Sequence, residues 1–371
     1  MPVPSLDGAA ERIRRWFDAE CWPFWSARAA APNGLFLEQV RPDGEPDPHA
    51  RLRVRVQARQ IFSLSRAVAM GHDAAREPLA RGLDAFDRFC RAPDGRAGWI
   101  AVLEPDGRPA DTLRDCYDQA FCLLGFGAAH AVGLGAAGAL ARATMRFLEN
   151  ELADRAGGFR EDDRNTLPRR ANPHMHLLEA FLFWFEQTGD LVWRDRANAM
   201  AALFAERFFH APSGTVGEFF DGALRPAAGE AGLVVEPGHL FEWSWLLHRL
   251  AAAGGRDLRG EAGLLHRWGL RHGLDAAGWA MDEVRQDGTP ARRSRRLWPQ
   301  TELIKSLLVN DAPEHAALVA QRLFDSYLRT TPGLWIDRFD AAGVADTPVV
   351  PASTLYHLVR AFEEVLRVAE E

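Results

Sequence analysis

The chain has 371 residues, 47% of them hydrophobic, with 12 tryptophans, 22 phenylalanines and a formal net charge of −7. This suits one soluble globular unit, and an acidic balance without a basic, aromatic-interleaved stripe excludes nucleic acid as a partner. No apolar run is long enough to span a bilayer, and Met1-Pro2-Val3-Pro4-Ser5 carries no secretion signal. Cys21, Cys90, Cys116 and Cys122 have neither disulfide nor zinc spacing, so a cytoplasmic protein with reduced thiols is expected.

In chain order, apolar faces of period 3.6 mark twelve helical segments, at roughly 8–20, 50–71, 78–91, 111–132, 135–153, 172–188, 191–209, 237–254, 258–273, 297–309, 313–329 and 351–368. Six glycines, each before a short apolar run, fall between successive pairs: Gly34, Gly98, Gly158, Gly217, Gly278 and Gly333. Asp-Gly turns follow most of them, at Asp43-Gly44, Asp106-Gly107, Asp221-Gly222 and Asp287-Gly288. A near-constant period with two helices per unit signals a helical repeat, and six units fill the chain, so one domain over 1–371 is expected. An open solenoid needs polar terminal repeats. Here Trp16, Trp22 and Trp25 at one end and the Leu355–Leu366 face at the other are apolar. Closing the array buries both, which predicts an all-α fold: an (α/α)6 barrel of six αα-hairpins with short β-hairpin insertions at one mouth. The open solenoid is the alternative.

The even-numbered segments start directly after the glycine hairpins, several beside a proline (Pro173, Pro237, Pro299, Pro351), so their N-termini gather at that mouth. Unusual residues collect there: Arg59, Tyr117, Asp118, His174, His176, Glu179, His239, Glu242, Trp298, Gln300, Glu302 and His357. His176/Glu179 and His239/Glu242 are i,i+3 pairs and Trp298/Glu302 is i,i+4, so each pair shares a helix face. His174 and His176 stand about 200° apart around a helix. His176, in phase with Glu179, is taken for the axis and His174 for a brace. Singly, each residue has a structural reading: Asp118 as a brace to a neighbouring helix, Tyr117 as core, the Arg51–Arg59 ladder as a solvated face. Their recurrence at equivalent places in successive repeats favours a site.

Arg59-Gln60-Ile61-Phe62-Ser63, Asp115-Cys116-Tyr117-Asp118-Gln119-Ala120-Phe121, Asn172-Pro173-His174-Met175-His176-Leu177-Leu178-Glu179-Ala180, Pro237-Gly238-His239-Leu240-Phe241-Glu242-Trp243, Leu297-Trp298-Pro299-Gln300-Thr301-Glu302 and Tyr356-His357-Leu358 resemble, in order and spacing, the N-acylglucosamine 2-epimerase family. That family includes mannose isomerases and cellobiose 2-epimerases. The resemblance implies an (α/α)6 barrel in which His239 and His357 are acid/base groups on a sugar. It also implies that Arg59, His176, Glu242 and Glu302 contact the substrate or support the histidines, and that Trp298 packs on the sugar ring. The remaining candidates for substrate contact are Tyr117, Asp118, Glu179 and Gln300.

The chemistry fits these residue types independently. Proton transfer at the carbon beside a sugar carbonyl needs a base near neutrality, which imidazole supplies, and a cation such as Arg59 for the enediolate. Positive helix ends are expected to keep both histidines neutral, and Glu242, one turn from His239, to fix its tautomer. His357 is assigned to the C2 proton and His239 to ring opening. The run Arg55–Gln60 and the Trp298–Glu302 form look like the mannose isomerase branch, so mannose–fructose isomerisation is expected, with 2-epimerisation the alternative. No metal and no cofactor is expected, and the partner is a monosaccharide, with a homodimer left open. Arg169-Arg170 and Arg292-Arg293-Ser294-Arg295-Arg296 read as solvated loop arginines, a phosphorylated or acidic sugar being the alternative. An inverting glycoside hydrolase using Asp118, Glu179, Glu242 or Glu302 would suit a rim poor in histidine. A protein-binding scaffold would need an apolar outer patch, and metal hydrolysis more than a lone His239-x-x-Glu242.

Overall fold

A computed structural model describes residues 5–371. The reading of Met1-Pro2-Val3-Pro4 lies outside the described residues. The helices are α1 (Leu6–Trp16), α2 (Trp22–Arg28), α3 (Val54–Ala69), α4 (Arg76–Phe89), α5 (Cys116–Ala131), α6 (Ala136–Phe147), α7 (Asn172–Thr188), α8 (Leu191–Leu203), α9 (Pro237–Ala252), α10 (Arg259–His272), α11 (Leu297–Val309), α12 (Pro313–Ser326) and α13 (Leu355–Glu370). A π turn at Phe17–Cys21 joins α1 to α2, so the first predicted segment runs on to Arg28. The other eleven segments each correspond to one helix.

α3, α5, α7, α9, α11 and α13 pack in succession, and α13 returns against α3, closing an inner ring. Its helices lie between the axis and an outer layer, so they must be buried almost all round: α5 buries every residue from Asp118 to Ala129. Closure covers both apolar ends. Trp16 packs edge-on against Phe324 and Phe362, Trp25 stacks on Trp335 at 5.2 Å, and its indole N–H donates to the Gly333 carbonyl at 3.0 Å. Gln39–Val40 pairs antiparallel with Val350–Pro351, stitching the first hairpin to the last. The closed barrel is therefore the fold, and the open solenoid is not.

The inter-repeat hairpins reveal a finer pattern. Bridges at Phe36, Phe159, Val216 and Ala280 place the repeat glycine two residues earlier, at Gly34, Gly157, Gly214 and Gly278, all with positive φ. The expected Gly158 and Gly217 are thus out of register by one and three residues. In the corrected frame five of six repeats read Gly-x-x-x-acid, with Glu38, Glu161, Glu218, Asp282 and Asp337; the second repeat has Val102 instead. Each acid fastens the start of the next inner helix. Glu38, Glu161, Glu218 and Asp282 accept the backbone N–H of Arg53, Arg170, Glu236 and Arg296 at 2.9 to 3.2 Å, and Asp337 accepts the Thr354 hydroxyl at 2.5 Å. Those at Arg53, Glu236 and Arg296 engage the N–H of the residue that caps the helix, which has no intrahelical partner.

Candidate active site

The N-terminal ends of the inner helices surround a cavity of about 310 Å³. Of the predicted residues, Arg59, Tyr117, His176, His239, Glu242, Trp298 and His357 line it. Trp298 packs near both histidines, its ring 5.1 Å from that of His239 and 5.5 Å from that of His357. Gly238 permits this: a Cβ there would meet the Trp298 ring at 2.4 Å.

Each histidine leans on a carboxylate. His239 Nδ1 lies 2.8 Å from Glu218 Oε2 and its Nε2 lies 3.1 Å from the Asn172 amide. Burial lowers the pKa of this ring, but the neighbouring Glu218 and Glu236 carboxylates overcome burial and raise it to about 10. Those two carboxylates favour the imidazolium form of His239 at neutral pH. His357 Nδ1 lies 2.9 Å from Glu302 Oε1, yet burial, then Arg59 and Lys305, push this ring well below the ordinary imidazole value. The pairing alone argues for a raised value; the two cations and the dry site decide otherwise. His357 is a neutral ring with Nδ1 engaged and Nε2 available.

Three carboxylates lie at or under the floor. Glu179 is held by the Tyr356 hydroxyl, by Arg360 Nε at 3.0 Å and by His176 Nδ1 at 3.3 Å. Burial opposes ionisation of Glu179, but His176 and Arg360 hold it well below the carboxylate range. Burial also sends His176 down to about 4. Glu242 contrasts with Glu179: both oxygens are buried without a hydrogen-bond partner, and burial together with Glu302 and Glu179 raises its pKa well above normal. Burial without a partner thus favours the protonated form of this carboxyl. Arg59 donates to Tyr117 Oη at 2.8 Å and lies near the Ser353 carbonyl at 3.3 Å, with no carboxylate in salt-bridge range among the described residues.

His176, Glu179 and Glu242, and likewise Glu218, Glu236 and His239, are close enough to face one cation. Glu179, Glu236 and Glu218 are already committed to Arg360, Arg296 and His239, whereas Glu242 has no hydrogen-bond partner.

A family model for N-acylglucosamine 2-epimerase matches residues 34–361. The chain belongs to the N-acylglucosamine 2-epimerase family. It is an enzyme of the isomerase class. A curated relative named mannose-6-phosphate isomerase, from Rhizobium meliloti (strain 1021), is 35% identical over 380 residues, 96% of each chain. The D-mannose isomerase of Thermobifida fusca is 27% identical over 352 residues, covering 87% of this chain and 82% of its own. A cellobiose 2-epimerase structure from Spirochaeta thermophila superposes with a TM-score of 0.86 at 23% identity, over 98% of this chain and 97% of that one. A D-mannose isomerase structure gives 0.84 at 20%, with the same coverages. At such identities the structural likeness speaks for the fold alone, the (α/α)6 barrel.

Within this epimerase-family barrel, several expected roles are corrected. Asp118 is fully buried outside the cavity, 2.7 Å from Arg55 Nε, and braces α5 against α3. Gln300 bonds the backbone N–H and carbonyl of Ala280, both at 2.8 Å, a clamp from helix to hairpin repeated by Gln57 on Phe36 and Gln119 on Trp99. His174 has the same task, accepting the Phe159 N–H at 3.0 Å. Glu179 and Glu302 act from beneath the lining rather than in it. Glu242 does not fix His239, because the histidine turns its Nδ1 toward the preceding hairpin while Glu242 faces His176, 3.9 Å away. Nor are both histidines neutral. The residues missed were Glu218, Asn172 and the rim groups Arg53, Glu236, Arg296 and Asp337. The Gly-x-x-x-acid register was the signal that could have found Glu218.

Proposed function

We propose that this enzyme interconverts D-mannose and D-fructose through a cis-enediolate. The observation that carries the acid–base reading is a pair of histidines beside one tryptophan, one set among carboxylates and the other among cations. His239, as imidazolium, gives its proton to the ring oxygen as the C1–O5 bond breaks and the O1 proton leaves to water at the mouth. Neutral His357 takes the C2 proton at Nε2. Negative charge growing on O1 is met by Arg59, held against Tyr117 in a site where such a donor needs no reorganisation. The O2 hydroxyl proton passes to O1, moving the charge to O2; His357 then returns its proton to C1 as C2=O forms, and a ketose results. Trp298 supplies the flat apolar surface for the sugar, and His176 a further polar contact. The choice of isomerisation over 2-epimerisation is supported by the names of two relatives that match 96% and 87% of the chain.

A mannose 6-phosphate substrate is the second reading, favoured by the name of the 35% identical relative. The charge balance of the mouth favours an uncharged sugar. Arg53 is matched by Glu38, Arg170 by Glu161 and Asp115, and Arg296 by Asp282 and Glu236. A phosphate beside those three arginines would displace existing ion pairs, and the one lining arginine without a carboxylate, Arg59, is taken up by O1.

Turnover of mannose, mannose 6-phosphate, glucose and N-acetylmannosamine, resolved by chromatography, tests both readings. With C2-deuterated mannose, isomerisation by one base is expected to carry some label to C1 of fructose. Solvent deuterium confined to C2 of an epimeric aldose, without ketose, would establish epimerisation instead.

A further inference from the structure

Beneath the lining, α11 places a lysine where lysines are rarely found. Lys305 has no solvent exposure, and its ammonium stands 2.5 Å from Glu302 Oε2 and 3.8 Å over the Trp245 ring. Glu302 is equally buried and uses its other oxygen on His357 Nδ1 at 2.9 Å. The order in space is therefore Trp245, Lys305, Glu302, His357, with His357 alone of these reaching the cavity. A buried carboxyl without a cation would take up a proton, and burying a lysine is costly unless a carboxylate meets it. The two costs cancel only as a pair.

We propose that Lys305 is a positioning residue for catalysis: its ammonium holds Glu302 as the carboxylate that receives the Nδ1 proton of His357, so that Nε2 stays a free base. This rests on the reading of His357 as the base. The groups facing His357 from the packed elements are Arg59 on α3, His176 and Glu179 on α7, Glu242 on α9, and Glu302 and Lys305 on α11. Arg59 and Lys305 are the cations among them. Arg59 is shared with the cavity, where it meets substrate, whereas Lys305 belongs to the relay. Without Lys305, the Glu302–His357 couple binds one more proton up to higher pH, whichever partner carries it, and a protonated couple is no base. Burial pushing Glu302 up, opposed chiefly by Lys305, agrees with this.

The test is the pH profile of kcat for Lys305→Met and Lys305→Arg, with folding checked by circular dichroism. In Lys305→Met the acid limb should rise by about one pH unit or more, so that kcat falls about tenfold at the acid end and recovers on the alkaline side, with KM little changed. Lys305→Arg, keeping the charge, should leave the limb in place. A folded Lys305→Met with the wild-type profile, or one slowed equally at every pH, overturns the proposal, as does a shifted limb in Lys305→Arg. Nitrogen-15 spectra of wild-type histidines, with His357 assigned by its loss in His357→Asn, give a readout that depends on no lysine variant. They should show a neutral ring protonated on Nδ1 at pH 7, and an imidazolium there overturns it. An active His357→Asn would instead sink the reading of His357 as base, which keeps the two failures apart.

Discussion

His239 and His357 occupy matching positions on two inner helices, each hydrogen-bonded through Nδ1 to a glutamate, yet their surroundings favour a charged ring at one and a neutral ring at the other. Their surroundings differ in the third partner. Glu218 acts on His239 together with a second carboxylate, Glu236, whereas Glu302 is opposed by the Lys305 ammonium and Arg59 adds a second cation beside His357. A histidine–carboxylate pair therefore does not define a base or an acid; the net charge of the next layer does.

Removing one side altogether should give the largest effect. His357→Asn is expected to fold and to lose about 10²–10⁴-fold in kcat, the usual contribution of one acid–base group. More than a tenth of wild-type turnover would remove His357 from the mechanism. His239→Ala should be milder, because sugars open slowly without help, and addition of preopened substrate analogues should narrow the gap to wild type.

The comparison sharpens if one histidine can be converted toward the other. Glu218→Gln removes the partner that holds the His239 proton, so the alkaline limb of kcat should fall by about two pH units, with ~10–100-fold slower turnover near pH 9. The same change alters stability against pH in a defined direction. Because the folded value is raised from 6.5 to about 10, the wild-type fold has the full benefit of this proton below pH 6.5 and loses it as the pH climbs through 10. Urea melts at several pH values should show that slope in the wild type and a weaker one in Glu218→Gln.

The smallest effect on activity is expected where a carboxylate–cation pair serves neither histidine. Burial sends Asp118 up to about 7 although Arg55 pulls it down, and no oxygen of it reaches the cavity. Asp118→Asn should cost about 3 kcal/mol of stability by stranding Arg55, with kcat/KM unchanged at temperatures where the protein stays folded. A large loss of kcat/KM would return Asp118 to the site.

Much of this was legible along the chain. The helices could be read because each buries a stripe or a whole surface, and period 3.6 survives in one dimension. The mouth could be read because hairpin glycines and first-turn prolines mark which helix ends share a side. Both histidines, Arg59, His176 and Trp298 followed from recurrence at those ends. Gln300 misled because the clamp of a helix to its hairpin recurs at the same ends, and recurrence alone does not separate a repeat's own bracing from its chemistry. Asp118 misled because it stands among those ends while its carboxylate turns away to Arg55.

By itself, then, the sequence determined the twelve-segment repeat, the side on which the helix starts gather and which histidines stand there, since all of these depend on local periodicity and turn chemistry. Only the tertiary structure decided which carboxylate serves which histidine. Glu218 lies 21 residues from His239 and Glu302 lies 55 from His357, and a partner at that range is chosen by how two repeats pack and where each ring turns. Charge followed from the same packing. Desolvation and the balance of nearby cations and carboxylates exist only once six helices have excluded water from one small cavity, so an imidazolium and a neutral ring arise from the same residue type.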